Sequence, residues 1–186
     1  MKRIAPPRKS PGFFAGFWRD RRAGAAAELA LILPGIAYIV LNVADLGLYV
    51  YSKMQVDLAA QEAAGAARTA CVDSTKLPAT INCANLGTTM QTAAQAASTL
   101  GSGVTLTSTV EKYYCADDTG TLVEVATPPT APPADCSSVY ATVTASPPGD
   151  YIQATVSYPF SSLFPGASIA QLLPSTITRT AWMRLQ

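Results

Sequence analysis

The stretch AGAAAELALILPGIAYIVLNVADLGLYVY, residues 23–51, decides how this chain is built. From Leu29 to Tyr51 it runs for 23 residues with a single formal charge, Asp45. A helix rising about 1.5 Å per residue makes that run roughly 34 Å long, enough to cross a hydrocarbon core of about 30 Å. A removable secretory signal has an apolar core of only about 7–15 residues, followed by a small-x-small cleavage site. This run is longer, and it continues into MQVDLAAQEAAGAARTA, residues 54–70, which is rich in Ala, Gln and Glu and has no Pro. Such a composition favours helix. One helix over about residues 25–70 is therefore predicted, with its first half in the membrane.

The flanks give that helix a direction. The 186-residue chain carries 13 Lys+Arg and 12 Asp+Glu, a net of +1. Residues 1–22 hold Lys2, Arg3, Arg8, Lys9, Arg19, Arg21 and Arg22 against Asp20 alone, so the remainder carries six basic and eleven acidic residues. Basic residues beside a span stay on the cytoplasmic side, which puts the N-terminus inside and the C-terminal bulk outside. They match anionic inner-leaflet lipid and leave no nucleic-acid footprint elsewhere. All four cysteines, Cys71, Cys83, Cys115 and Cys136, lie in the outer part, and their even number fits an oxidising compartment. Three pairings are open; Cys71–Cys83 with Cys115–Cys136 is favoured because each closes a short loop between elements. There is no histidine and no CxxC spacing. Zinc sites and catalytic triads built on His are excluded, and no metal or cofactor is expected. The acids Asp117, Asp118 and Asp150 fall short of the six to eight oxygens calcium takes.

Several polar residues interrupt the apolar run. Glu28 stands at its inner end, where a carboxylate is favourable with the helix dipole. Its alternative role is to neutralise the charged N-terminus of a neighbouring subunit in lipid. Tyr38, Asn42, Asp45 and Tyr49 follow one another at helical spacings of +4, +3 and +4 and so share one face. In lipid such a stripe is a packing surface for another helix; the simpler reading is that Asp45 snorkels to the nearby outer surface. Pro34 removes one backbone hydrogen bond inside the helix and should kink or loosen it.

Taken in order, these residues resemble a known family. A basic leader, a small residue, and a Glu five positions into an apolar helix resemble the processing pattern of type IV pilins. A cut between Ala23 and Gly24 would make Gly24 the first residue and Glu28 the fifth. The finer resemblance is to TadE-like proteins of tight-adherence (Flp) pilus systems. It is carried by Arg21-Arg22 with Glu28-Leu29, Leu33-Pro34, Asp45-Leu46-Gly47, Gln55-Val56-Asp57-Leu58-Ala59-Ala60 and Gly65-Ala66-Ala67-Arg68. YIQATVSYPFSSLFPG (151–166) and TRTAWMR (178–184) look like the closing strands of such proteins. The resemblance implies a minor pilin or pseudopilin in the bacterial inner membrane. Its leader, residues 1–23, would be removed by a prepilin peptidase. Glu28 and Pro34 would serve assembly, and the partners would be other pilins, met through the helix, and the inner-membrane assembly platform.

Residues 71–186 read as a small α+β domain outside the membrane. A second helix is expected from Leu86 to about Leu100, stopped by Gly101 and Gly103. Strands are expected at 104–110, 140–145, 151–158 and 177–183 from their alternation, with Pro147-Pro148-Gly149-Asp150 as a hairpin turn between two of them. Residues 127–134, with four prolines, read as an extended loop. No base stands near a nucleophile at a recognisable spacing, so no enzyme is expected. Two rivals to the pilin reading are an unprocessed single-pass anchor displaying a ligand-binding domain and a tethered envelope hydrolase.

Overall fold

The computed structural model describes residues 21–117, 119–138 and 146–186. The leader up to residue 20, the strand expected at 140–145 and Asp118 lie outside the described residues. The elements are α1 (Arg21–Ala70), α2 (Ala79–Asn82), α3 (Leu86–Ala97), β1 (Thr105–Ala116), β2 (Leu122–Ala126), β3 (Gly149–Pro159) and β4 (Thr176–Arg184). The chain divides into two compact units, the first ending at Ala44 and the second running from Asp45 to Gln186. A sequence boundary at residue 70 is therefore not a packing boundary, because the second half of α1 belongs to the second unit.

In the first unit α1 presents large apolar side chains around its circumference, with Glu28, Tyr38 and Asn42 set among them. Leu29, Leu31, Ile32, Leu33, Ile36, Ile39, Val40 and Val43 are all exposed. Such a surface is suited to lipid rather than to water. Pro34 lies inside it without ending it. Its ring leaves the carbonyl of Ala30 without the usual helical donor.

In the second unit the sheet has the order β2-β1-β3-β4, every pair antiparallel. One face of it is covered. Val56, Ala59, Ala60, Ala63, Ala64 and Ala67 of α1 are fully buried with Ile152, Ala154 and Val156 of β3 and Ile177 of β4. The alanines are what allow this: without side chains beyond Cβ the helix backbone comes close to the strands. At Gly65 an added Cβ would already stand 3.9 Å from Met183 Cε. Leu86, Met90 and Ala94 of α3 complete the core. Two hydrogen bonds join α1 to the end of α3: Tyr51 Oη with Thr99 Oγ1 at 3.0 Å, and Thr99 N donating to Gln55 Oε1 at 3.0 Å.

Some expectations change. The strand expected at 104–110 runs on to Ala116, with Glu111, Tyr113 and Cys115 buried at alternate positions. The charge of Glu111 hides this continuation, since strand patterns are read from apolar alternation. Gly149 and Asp150 are not in a turn; they are the first residues of β3, paired with Tyr114 and Tyr113 of β1. β2, the partner of β1 across a short hairpin, is a further strand that alternation alone does not single out.

Candidate functional site

The residues singled out from sequence divide between the two units. Ala23 and Gly24 lie within α1. Glu28 lies within the described part of the helix, exposed among apolar neighbours. Asn42 is buried, and its Nδ2 donates to the Tyr38 carbonyl at 2.8 Å, which satisfies an amide within its own helix.

The rest of the polar stripe meets the chain's own loop. Asp45 is wholly buried. Its Oδ2 accepts from Ser162 Oγ at 2.6 Å and its Oδ1 from Leu163 N at 3.0 Å. Ser162 Oγ also accepts from Phe164 N at 3.2 Å, so one hydroxyl ties the carboxylate to the loop backbone. Four residues on, the ring of Tyr49 meets Phe160 edge-on with centroids 5.0 Å apart. Hydrogen bonds to an ionised acceptor are the strong ones, and the T-shaped pair adds about 0.5–1.5 kcal/mol. Asp45 and Tyr49 thus fasten the segment after β3 to α1. Nothing in the local sequence of Ser161-Ser162-Leu163 signals this, because the partner is 117 residues away.

A second polar cluster lies beneath the sheet. Glu111 on β1 is buried; its Oε1 accepts from Ala79 N at 2.7 Å and its Oε2 from Thr80 N at 2.7 Å, with Thr80 Oγ1 at 2.5 Å. These donors belong to the loop closed by the disulfide Cys71–Cys83. Asp150 on β3 lies diagonally opposite Glu111, since it pairs with Tyr113. No donor reaches either Asp150 oxygen, although a protonated Asp150 can itself donate to Glu111. Burial, and then the charge of Glu111, push the Asp150 carboxyl up to about 7. Burial, with the same two acids, also pushes the Tyr113 phenol up to about 12. The backbone of Asp150 holds the C-terminal residues: its carbonyl accepts from Leu185 N at 2.8 Å and its N–H donates to Gln186 O at 3.3 Å. The second disulfide, Cys115–Cys136, anchors the end of β1.

Among the described residues no group of three or more Cys, Asp or Glu is placed to hold a metal ion. Asp117 is committed to a turn, its Oδ1 accepting from Thr119 N at 2.9 Å, Thr119 Oγ1 at 2.7 Å and Thr121 N at 2.7 Å. On the sheet face away from α1, Tyr114 stands edge-on to Tyr151 and to Trp182, with centroids 5.6 and 5.8 Å apart. The functional features are therefore an apolar helix, its fastening at Asp45, and a rigid cross-linked domain.

Residues 24–65 match the model of the TadE-like protein family. The match covers the apolar helix and the alanine-rich turns that pack on the sheet. No curated protein and no solved structure matches the chain.

Proposed function

From the TadE-like character of residues 24–65, we propose that this chain is a pilin-like subunit of a Tad-type pilus, held in the membrane by α1 before assembly. The observation that carries the reading is the division of one helix into two kinds of surface. Leu29, Leu31, Ile32, Leu33, Ile36, Ile39 and Val40 are exposed, whereas Val56, Ala59, Ala60, Ala63, Ala64 and Ala67 are buried against the chain's own sheet. The first part of the helix is long and apolar enough to cross a hydrocarbon core of about 30 Å at about 1.5 Å per residue.

The basic leader keeps the N-terminus in the cytoplasm, and the second unit, with both disulfides, lies in the periplasm. A prepilin peptidase cuts between Ala23 and Gly24, the residue at which the family match begins. Removal of residues 1–23 makes Glu28 the fifth residue of the mature chain. There it offers a carboxylate, in a medium of low dielectric, to the new N-terminal amine of a neighbouring subunit. The exposed apolar surface of 25–44 then exchanges lipid for the helices of other pilins. The second unit primes or caps the assembly and contributes to adhesion or secretion.

Intact mass of the protein taken from membranes tests the processing step. A mature chain beginning at Gly24 is expected. Met1 retained in cells with an active peptidase would instead support an unprocessed anchor. Glu28→Ala is expected to be cleaved but to assemble poorly; normal piliation would remove the role given to Glu28.

A further inference from the structure

The end of the sheet that holds the C-terminal residues borders a cavity of about 290 Å³. Leu77, Pro78, Pro132, Pro147 and Pro148 line it together with Tyr113, and Asp150 and Arg184 stand at its wall. Side chains two and four residues apart project to the same side of a strand. Asp150 therefore shares a face of β3 with the buried Ile152 and Ala154, and the same face of β1 carries Glu111 and Tyr113. On that side Glu111 meets the backbone of Ala79 and Thr80, next to the Leu77-Pro78 wall of the cavity. The Asp150 carboxyl is thus directed toward the same wall. It is 5% exposed, and neither of its oxygens accepts a hydrogen bond.

A buried acid without a donor is costly, and the chemistry around this one says what would satisfy it. Glu111 is already served by Ala79 N, Thr80 N and Thr80 Oγ1, so the lone pairs left over belong to Asp150. Among the described residues no Lys or Arg forms an ion pair with either acid. Arg184 gives its Nε to Gln186 O instead. Two carboxylates against one guanidinium leave a single negative charge to balance. A calcium ion would need six to eight oxygens, and no group of three acids stands here. An ammonium brings three donors and needs few acceptors. Proline rings carry no N–H, and with Leu77 they offer apolar surface to an alkyl chain rather than to a second polar group. The volume lies at the small end of ligand pockets, which suits a short chain.

We propose that Asp150 and this cavity form a binding site for a primary alkylammonium group, with the ammonium on the Asp150 carboxylate and the methylene chain against the proline rings. The group is either a lysine side chain of a partner protein or a free amine, since both carry the same chemistry. Glu111 and Tyr113 from β1 and Arg184 from β4 are the titratable groups that face Asp150; Leu77 and the prolines add none. Burial, and then the charge of Glu111, keep the Asp150 carboxyl protonated up to about 7. Binding therefore releases that proton to solvent, while the ammonium, which ionises near pH 10.4, keeps its own. Affinity weakens as the pH falls below about 7. The site lies wholly within the second unit and rests neither on the membrane span nor on leader removal.

Titration of the full-length, nitrogen-15-labelled protein in detergent with n-butylammonium chloride, at fixed total salt, tests it. At pH 8 saturable shifts are expected at the amides of Tyr113, Asp150 and Leu185. The affinity is expected to be about 100-fold weaker at pH 5, a tenfold loss for each pH interval of one below 7. Asp150→Asn, which keeps the shape of the side chain but not its charge, should lose at least about tenfold in affinity at pH 8, since one unit of binding free energy of 1.4 kcal/mol is tenfold. n-Butanol, with the chain but no charge, and tetramethylammonium, with the charge but no N–H, should not saturate the same amides. A short lysine peptide with blocked ends separates the two sources: tighter binding than n-butylammonium assigns the group to a partner protein, and weaker binding assigns it to a free amine. No saturable shift at pH 8, equal affinity in Asp150→Asn, equal affinity at pH 5 and pH 8, or equal binding of n-butanol would each overturn the site.

Discussion

Asp150→Asn is expected to make the second unit less sensitive to pH and more stable above neutrality. In the folded protein Asp150 is 5% exposed and Glu111 2%, on neighbouring strands, with Tyr113 and Arg184 the other titratable groups lining the cavity around Asp150. Arg184 is not among the groups that shift the acid, and its Nε donates to Gln186 O at 2.6 Å. The Asp150 carboxyl is pushed from 3.8 to about 7 on folding. Between those two values the folded state holds a proton that the unfolded chain has released, so stability falls as pH rises from about 4 to about 7 and then levels off. At 1.36 kcal/mol per pH interval of one, the whole fall is ~4 kcal/mol, and relaxation of the pair makes about 2–4 kcal/mol a fair range. The substituted amide presents the same shape as the carboxyl and an N–H₂ that donates to Glu111, without a proton to lose. Thermal unfolding of the full-length protein in detergent, followed by near-ultraviolet dichroism, reads the effect. The variant and the native protein should melt together near pH 4. Near pH 8 the variant should melt about 4–16 °C higher, at roughly 2–4 °C per kcal/mol for a chain of this size. The contributions of Asp73, Asp117 and Glu124, exposed acids held below the usual carboxylate range by hydrogen bonds from Thr75, Thr119 and Lys112 respectively, cancel between the two proteins. An equal gap at both pH values would refute the reasoning, since it would mean that Asp150 is charged throughout.

Three other outcomes follow from the same packing. Asp45→Ala should leave the 160–166 loop unfastened, so that the amides of Leu163 and Phe164 lose protection from hydrogen exchange while the core of β3 keeps it. Met90→Ala empties a site that is fully buried between α3 and β1, and should cost ~2–5 kcal/mol in chemical unfolding. Replacing either disulfide by a Ser pair should cost about 3 kcal/mol, nearly the same for both, because loop entropy grows only slowly from a separation of 12 residues to one of 21. A large inequality in denaturation midpoints would show that strain or residual structure, rather than loop closure, sets their worth.

The long helix is legible because its two signals are local. An apolar run of membrane length and an alanine-rich, proline-free continuation can each be read without knowing what they touch. The resemblance of residues 21–70 to TadE-like proteins is legible for the same reason, and the family match falls inside that segment. The disulfide pairing is one of three open possibilities, narrowed by loop length, and the structure has Cys71–Cys83 and Cys115–Cys136. Strands are legible where apolar alternation is clean and misread where a buried acid replaces an apolar residue, as at Glu111 and Asp150. A charge in a strand reads as a solvent-facing position unless its partners are known. Those partners, the Thr80 backbone and hydroxyl 31 residues away, come only with the fold.

The sequence by itself determined that a membrane-length helix precedes a cysteine-linked α+β domain, and that its basic flank comes first. Hydropathy, charge and cysteine number are properties of composition and order, and they do not depend on packing. Only the tertiary structure decided what Asp45 meets. Asp45 reads in sequence as an acid stranded near the end of a span, exposed to a partner or to water. In the fold it is the buried acceptor for Ser162 and Leu163. The physical reason is that a buried carboxylate is tolerable only where donors converge on it, and these donors come from a loop 117 residues later, brought there by the pairing of β1, β3 and β4.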